Sequence, residues 1–194
     1  MLAALHAKLI LMHFAWRRLV TQVWYRMFFR SLGRKTTIFR LGMLNHPECI
    51  SIGSWTVIRY GCRLEVVHTP DIDPHLEIGN NVNIEQNVHI ICHDRVIIRD
   101  NVSITGHCAI VDVTHPHAVA LLGEKIGHAI DAKRSFVEIG EGAFVGFGVT
   151  ILPNVRIGRM SVIGAGSVVN SDIPDYAVAA GVPARVVGTC ERGI

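Results

Sequence analysis

Along most of the chain a large aliphatic residue recurs every six positions, separated by small, polar or turn-forming residues. In the last third the series is Ile139, Val145, Ile151, Ile157, Ile163 and Val169. The middle gives Ile78, Ile84 and Ile90 and then, after a two-residue shift, Ile98, Ile104 and Ile110; a shorter first set is Ile52, Ile58 and Leu64. Four residues after each aliphatic comes a second column without a charge: Val82, Val88, Val102, Cys108, Ala143, Val149, Val155, Ser161, Ser167 and Ile173. A helix needs apolar spacings of three and four, and a hairpin sheet needs longer alternation at two, so neither explains a six. A short strand, a turn and another short strand do explain it. Each unit then makes one flat side of a coil, and stacked coils form a solenoid. At an inter-strand spacing of about 4.8 Å, five or six coils give a prism roughly 24–29 Å tall.

The slips of phase predict where the chain leaves the solenoid. Leu64 to Ile78 and Ile90 to Ile98 read as corner insertions, and "VVHTPDIDPH", Val66 to His75, with Pro70 and Pro74, reads as a small loop. Between Ile110 and Ile139 the period is lost altogether, which predicts an extruded loop over about 112–136. Long loops on a rigid scaffold are where chemistry is commonly carried.

Residues 1–45 have a different pattern. "LAALHAKLILMHFAWRRLVTQVWYRMFFR" is apolar, basic and compatible with an amphipathic helix. Lys8, Arg17 and Arg18 interrupt it too early for a bilayer-spanning segment. Arg17, Arg18, Arg26 and Arg30 follow the apolar run, where a secretory signal would carry its charges before it. Three readings remain: a helix lying on an anionic membrane surface, a helix packed on the main domain, or one packed on a neighbouring subunit. The predicted division is therefore a helical segment over 1–45, the β-solenoid over 46–176 and a tail over 177–194.

Composition narrows the function classes. With 194 residues, 49% of them hydrophobic, the chain supports one domain with a real core. The formal charge is +3 without a run of five like charges, so no nucleic-acid partner is expected. Five cysteines without a C-x-x-C signal neither a disulfide framework nor a zinc knuckle; they read as buried free thiols in a reducing cytoplasm. No Walker or Rossmann glycine signature precedes a helix.

The hexad pattern from Ile52 to Phe136, and again from Val137 to Val187, resembles that of the hexapeptide-repeat acyltransferases. The resemblance implies an all-β solenoid, a left-handed parallel β-helix with three units per triangular coil, whose hand is opposite to the usual right-handed crossover. It also implies a homotrimer, acetyl-CoA as co-substrate and no metal. "VTHPH", residues 113–117, with "DNV" at Asp100–Val102 upstream, resembles the His-Pro element that supplies the catalytic base in galactoside and maltose acetyltransferases and their relatives. His115 is thus the expected general base, taking the proton of a sugar hydroxyl as it attacks the thioester carbonyl, while backbone N–H groups stabilise the oxyanion. Its other ring nitrogen would be oriented by Asp112 or by a backbone carbonyl. His117, two residues on, is either a supporting contact or a bystander. Glu85 and Asn87, one coil earlier, together with Asp112 and His117, are the expected acceptor-binding residues.

"VVNSDIPDYAVAAGVPARVVG", Val168 to Gly188, resembles the end of sugar and serine acetyltransferases, which lines their acetyl-CoA groove. By that resemblance Gly146, Gly148, Gly164 and Ala165 offer side-chain-poor backbone to a pantetheine arm. Asn170, Ser171 and Arg185 lie toward the CoA phosphates. Where family members carry a lysine after the threonine of "TKD", this chain reads "NSD", Asn170 to Asp172; Lys133 or Arg134 would substitute.

The expected activity is acetyl transfer to a sugar hydroxyl of a polysaccharide or glycolipid precursor, with N-acetylation of an amino sugar as the main competitor. A γ-type carbonic anhydrase, binding zinc through histidines such as His89, His93, His107, His115 and His117, shares the scaffold. That family's histidine pair is spaced more widely and has no need of the AAGVPAR tail. A non-catalytic β-helix is the remaining alternative. The expected location is cytoplasmic, at the inner face of the membrane if the N-terminal helix binds lipid.

Overall fold

The computed structural model describes residues 2–116, 125–126, 129–131 and 133–190. The six-residue period becomes six stacked coils of three short strands each. Coil one uses Ser31–Leu32, Thr37–Ile38 and Met43–Asn45; coil two Ile50–Ile52, Val57–Ile58 and Arg63–Val66; coil three His75–Ile78, Asn83–Ile84 and His89–Cys92. Coil four uses Arg95–Ile98, Ser103–Ile104 and Ala109–Val111; coil five Phe136–Ile139, Phe144–Val145 and Thr150–Ile151; coil six Val155–Ile157, Val162–Ile163 and Val168–Val169. First strands pair only with first strands, second with second and third with third, all in parallel through coil six, so the chain visits three sheets in rotation.

Pairing aligns the aliphatic column. On the second sheet Ile38, Ile58, Ile84, Ile104, Val145 and Ile163 stand in one line. Leu44, Leu64, Ile90, Ile110, Ile151 and Val169 do so on the third. Leu32, Ile52, Ile78, Ile98, Ile139 and Ile157 do so on the first. Apart from partly buried Leu44, these lines are buried in one continuous core, and each fully buried aliphatic side chain contributes roughly 1.5–3 kcal/mol. The second column fills the corners, where space is smaller. Ser161 and Ser167 are buried there because their hydroxyls donate to the carbonyls of Gly158 and Gly164, both at 2.7 Å. Cys62 and Cys108 occupy the same column, and burial raises both thiol pKa values, which keeps them neutral.

Two boundaries differ from the sequence expectation. The helix, α1, runs only from Leu2 to Val23, and by Ser31 the chain is already in coil one. Within the tail the described residues form two strands: Ala177–Gly181 joins the second sheet in parallel, and Ala184–Thr189 returns antiparallel beside it. The expected corner insertions all leave from one place, the corner between the third and first sheets. Residues 67–74, 93–94 and 112–135 connect a third strand to the next first strand there.

Helix α1 closes the open end of the stack. Ile38, in the first strand of the second sheet, has no strand on its outer side. Its N–H donates to Thr21 Oγ1 at 2.8 Å, and its carbonyl accepts from Arg17 Nη2 at 2.8 Å. Gln22 Nε2 donates to the carbonyls of Gly33 and Thr36 at 3.0 and 3.2 Å, and Phe14 meets Phe39 edge-on at 4.9 Å. An edge that would otherwise template another chain is thereby capped. Of the three readings for this segment, packing on the main domain accounts for one face of α1.

Thr21→Val keeps the shape of this fully buried side chain but leaves the Ile38 N–H without a partner. Urea denaturation should show a loss of about 1–3 kcal/mol, whereas Trp16→Ser on the exposed side of the same helix should stay within about 0.5 kcal/mol.

Candidate active site

The corner from which the insertions leave is built by two aspartates. Asp112, the first residue beyond the third strand of coil four, is buried, and its carboxylate accepts the N–H groups of His93 at 2.5 Å, Asp94 at 2.9 Å and Arg95 at 2.8 Å. Burial pushes this carboxyl above the ordinary range, against the three N–H groups, which lower it. Asp94 performs the matching task at the other end of the long loop. It accepts the Ser135 N–H at 2.9 Å and pairs with Arg134 at 3.0 Å, while Ser135 Oγ donates to the Asp112 carbonyl at 2.6 Å. The carboxylate of Asp112 thus serves three backbone N–H groups of this corner.

His115 emerges three residues beyond this latch and is exposed. Its Nδ1 lies 2.7 Å from the Ala129 carbonyl on the returning arm of the loop. A carbonyl only accepts, so Nδ1 carries a proton, and in the neutral imidazole the lone pair that a general base requires is then on Nε2. Of the two orienting groups the sequence allowed, the backbone carbonyl is the one present. The Asp131 N–H donates to the Thr114 carbonyl at 2.9 Å and ties the two arms together beside it.

His115 lines a groove of 540 Å³ with Val67, Ile91, Val111, Val113, Ile130, Arg63 and Glu65. The last two form an ion pair on coil two. Arg63 Nε is buried without a hydrogen-bond partner among the described residues. These two residues are functional candidates that the sequence reading passed over. Their signal was the alternation of "RLEV", in which Leu64 and Val66 are buried and two opposite charges share the outer face.

Glu85 and Asn87 lie elsewhere. Glu85 pairs with Arg59 at 3.0 Å, and Asn87 donates to His107 Nε2 at 3.3 Å at the corner between the second and third sheets. Neither lines the His115 groove. His117 lies outside the described residues. The other histidines of the metal alternative are dispersed: His93 is buried with Nε2 3.0 Å from Thr69 Oγ1, and His107 is held by Asn87. Among the described residues the one group of side chains close enough to share an ion is His46, Glu48 and His68, which does not include His115.

The expected cofactor residues are split by the fold. Gly146, Gly148, Gly164 and Ala165 are stacked at the corner that precedes the third sheet. Their glycine character has a local cause: a Cβ on Gly146 would meet the Ala165 nitrogen at 2.7 Å, and one on Gly164 would meet Ala180 Cβ at 2.9 Å. The N–H groups of Gly146, Gly148 and Gly164 are used between coils, donating to the carbonyls of Ile163, Gly106 and Ala179. These three N–H groups therefore already have acceptors within the chain. What remains is a ledge of three glycines and Ala165, open above Gly148 and bordered by exposed Phe147. Asn170 and Ser171 are exposed at the opposite edge of the third sheet, on the His115 side. Arg185 is exposed on the terminal hairpin, with Nη1 2.8 Å from the Ala184 carbonyl. Of the two substitutes for the missing lysine, Arg134 is bound to Asp94, and Lys133 stands 3.7 Å from Asp131.

A family model described as bacterial transferase hexapeptide (six repeats) matches residues 136–171. The chain is 39% identical over 115 residues to the galactoside O-acetyltransferase of Escherichia coli K12, covering 58% of this chain and 53% of that protein. It is 35% identical over 118 residues to the serine acetyltransferase of Salmonella typhimurium LT2, covering 61% of this chain and 38% of that one. The chain thus spans about half or less of these curated relatives. In fold it is similar to AntD, an N-acyltransferase from Bacillus cereus solved with dTDP and 3-hydroxybutyryl-CoA, with a TM-score of 0.71, 20% identity and 87% of each chain covered.

Asp112→Asn turns one carboxylate oxygen into an amide donor, so at least one of the three N–H groups loses its acceptor. It should lower the urea-derived stability by about 1–3 kcal/mol and, in limited proteolysis, speed cleavage within 112–135 without affecting the coils.

Proposed function

On the premise that the chain is a hexapeptide-repeat protein of the bacterial transferase kind, we propose that it is an acetyl-CoA-dependent acetyltransferase acting on a sugar. Its solenoid would have the left-handed turn of that kind of protein, and its place would be the cytoplasm. The observation that carries the reading is His115, exposed in a groove with Nδ1 2.7 Å from the Ala129 carbonyl and Nε2 on the ring's other side.

In the proposed reaction Nε2 accepts the proton of the acceptor hydroxyl as its oxygen attacks the thioester carbon. The tetrahedral intermediate collapses with cleavage of the C–S bond, and the imidazolium returns the proton to the departing sulfur, giving the acetyl ester and free CoA. A hydroxyl is a poor nucleophile near neutral pH, and a positioned base typically contributes 10²–10⁴-fold. Arg63 and Glu65 are suited to hold the other hydroxyls of a sugar, as donor and acceptor in one outward row. O-acetylation is the preferred outcome because the galactoside enzyme is an O-acetyltransferase; N-acylation of an amino sugar is the second reading, since AntD is an N-acyltransferase. A polysaccharide or lipid-linked glycan is the proposed acceptor.

The two halves of the proposed site stand on opposite edges of the third sheet, His115 after its strands and the glycine ledge before them. One copy cannot bring them together, and a neighbouring copy presenting its ledge to this His115 would. A cyclic trimer supplies three such contacts.

His115→Ala should lower kcat for acceptor-dependent thiol release from acetyl-CoA by 10²–10⁴-fold and leave the KM for acetyl-CoA within a few fold. Arg63→Ala should raise the acceptor KM instead. A panel of sugars and amino sugars, followed by free thiol, tests this. Undiminished release by His115→Ala, or silence across the panel with chelator-sensitive CO₂ hydration, would overturn the proposal.

A further inference from the structure

Helix α1 uses one face to cap coil one and leaves the other bare. Phe14, Arg17, Arg18, Thr21 and Gln22 face the coil. At about 100° per residue, Leu5, Leu9, Met12, Trp16, Leu19 and Val23 fall on the diametrically opposite side, and each has more than half of its surface exposed. Trp24, Met27 and Phe28 extend the apolar surface beyond the helix. Six large side chains held in water along one stripe demand an occupant.

Charge decides which one. The first 47 residues carry Lys8, Arg17, Arg18, Arg26, Arg30, Arg34, Lys35 and Arg40 and no Asp or Glu; the rest of the chain has 11 basic against 16 acidic residues. Arg17 and Arg18 are bound to coil one, while Lys8, Arg26, Arg34 and Arg40 are exposed. A second copy of this end would bring only like charges to the contact, with no acidic partner for the flanking cations. An anionic lipid surface offers the complement to both features, hydrocarbon for the stripe and headgroup charge for the lysine and arginines, with the two tryptophans at the boundary. No described helix is long and apolar enough to cross a membrane, so α1 would lie in the interface plane.

We propose that α1 docks the protein peripherally on anionic membrane through the Leu5–Val23 stripe. The solenoid then stands on the surface by its coil-one end, with the groove on its side wall. This inference is independent of the acyl-transfer reading, because it rests on a surface that takes no part in the site.

The test is flotation of the full-length protein with vesicles of pure phosphatidylcholine and of phosphatidylcholine with phosphatidylglycerol, at low and high salt, with light scattering of the same samples without lipid. The expected result is binding to the anionic vesicles at least about tenfold tighter than to the neutral ones, weakened by salt. Trp16→Glu with Leu19→Glu should abolish it with an unchanged circular dichroism spectrum and oligomeric state. Lys8→Glu with Arg26→Glu should remove the preference for anionic lipid. Failure of the wild type to float with anionic vesicles overturns the proposal. So does dissociation of a native oligomer by the stripe variants, which would assign the face to a second copy. Neither result depends on whether the protein acetylates anything.

Discussion

Everything in this molecule depends on parallel pairing in register between successive coils. A coil of about eighteen residues must turn three corners and return beneath the same side chains. It does so because the aliphatic residue of each unit can be buried only at one position of the pleat. A slip of one residue would turn the interior line of a strand outward. The lines running from Ile38 to Ile163 and from Leu44 to Val169 are therefore both the core and the ruler of the structure. Extra residues have no place within a side, so they leave at a corner.

That constraint explains how a rigid wall carries a positioned histidine. All three excursions leave from the corner after the third sheet. The longest is fixed at both ends by buried carboxylates, Asp112 on the outgoing arm and Asp94 on the returning one. His115 follows the latch closely enough to inherit its position, and the Ala129 carbonyl sets its tautomer. The groove below gains its polar pair, Arg63 and Glu65, because outward positions on a short strand are free of the core's demands. The same freedom allows α1 to spend one face on the unpaired edge of coil one and to leave the other for a different surface.

Much of the fold was legible because a period of six is a global pattern that any coil reports. Coil one escaped notice although Leu32, Ile38 and Leu44 keep the period, because the apolar helix ahead of them blurs the boundary and Gly33 to Thr36 offer no second-column aliphatic. The His-Pro motif singles out His115, but spacing cannot tell Asp112 from a carbonyl as the group beside its Nδ1; in the fold the Ala129 carbonyl is the one within 2.7 Å. Asp112 lies near His115 in sequence, yet it bonds backward to residues 93–95, a long-range contact that local reading does not see. Glu85 and Asn87 precede the third-sheet strand of coil three, so within one copy they do not line the His115 groove. Arg63 and Glu65 were hidden for the opposite reason, since only the stacking of three coils brings them beneath His115.

The central claim is that histidine and ledge meet between copies to form an acetyl-transfer site. The direct measurement is the activity of a refolded equal mixture of His115→Ala and Ala165→Trp chains, each inactive alone because one lacks the base and the other blocks the ledge. Mixed trimers should recover roughly a quarter of wild-type acceptor-dependent thiol release, the random share of contacts that join an intact histidine to an intact ledge. A mixture as silent as its two components would contradict the account.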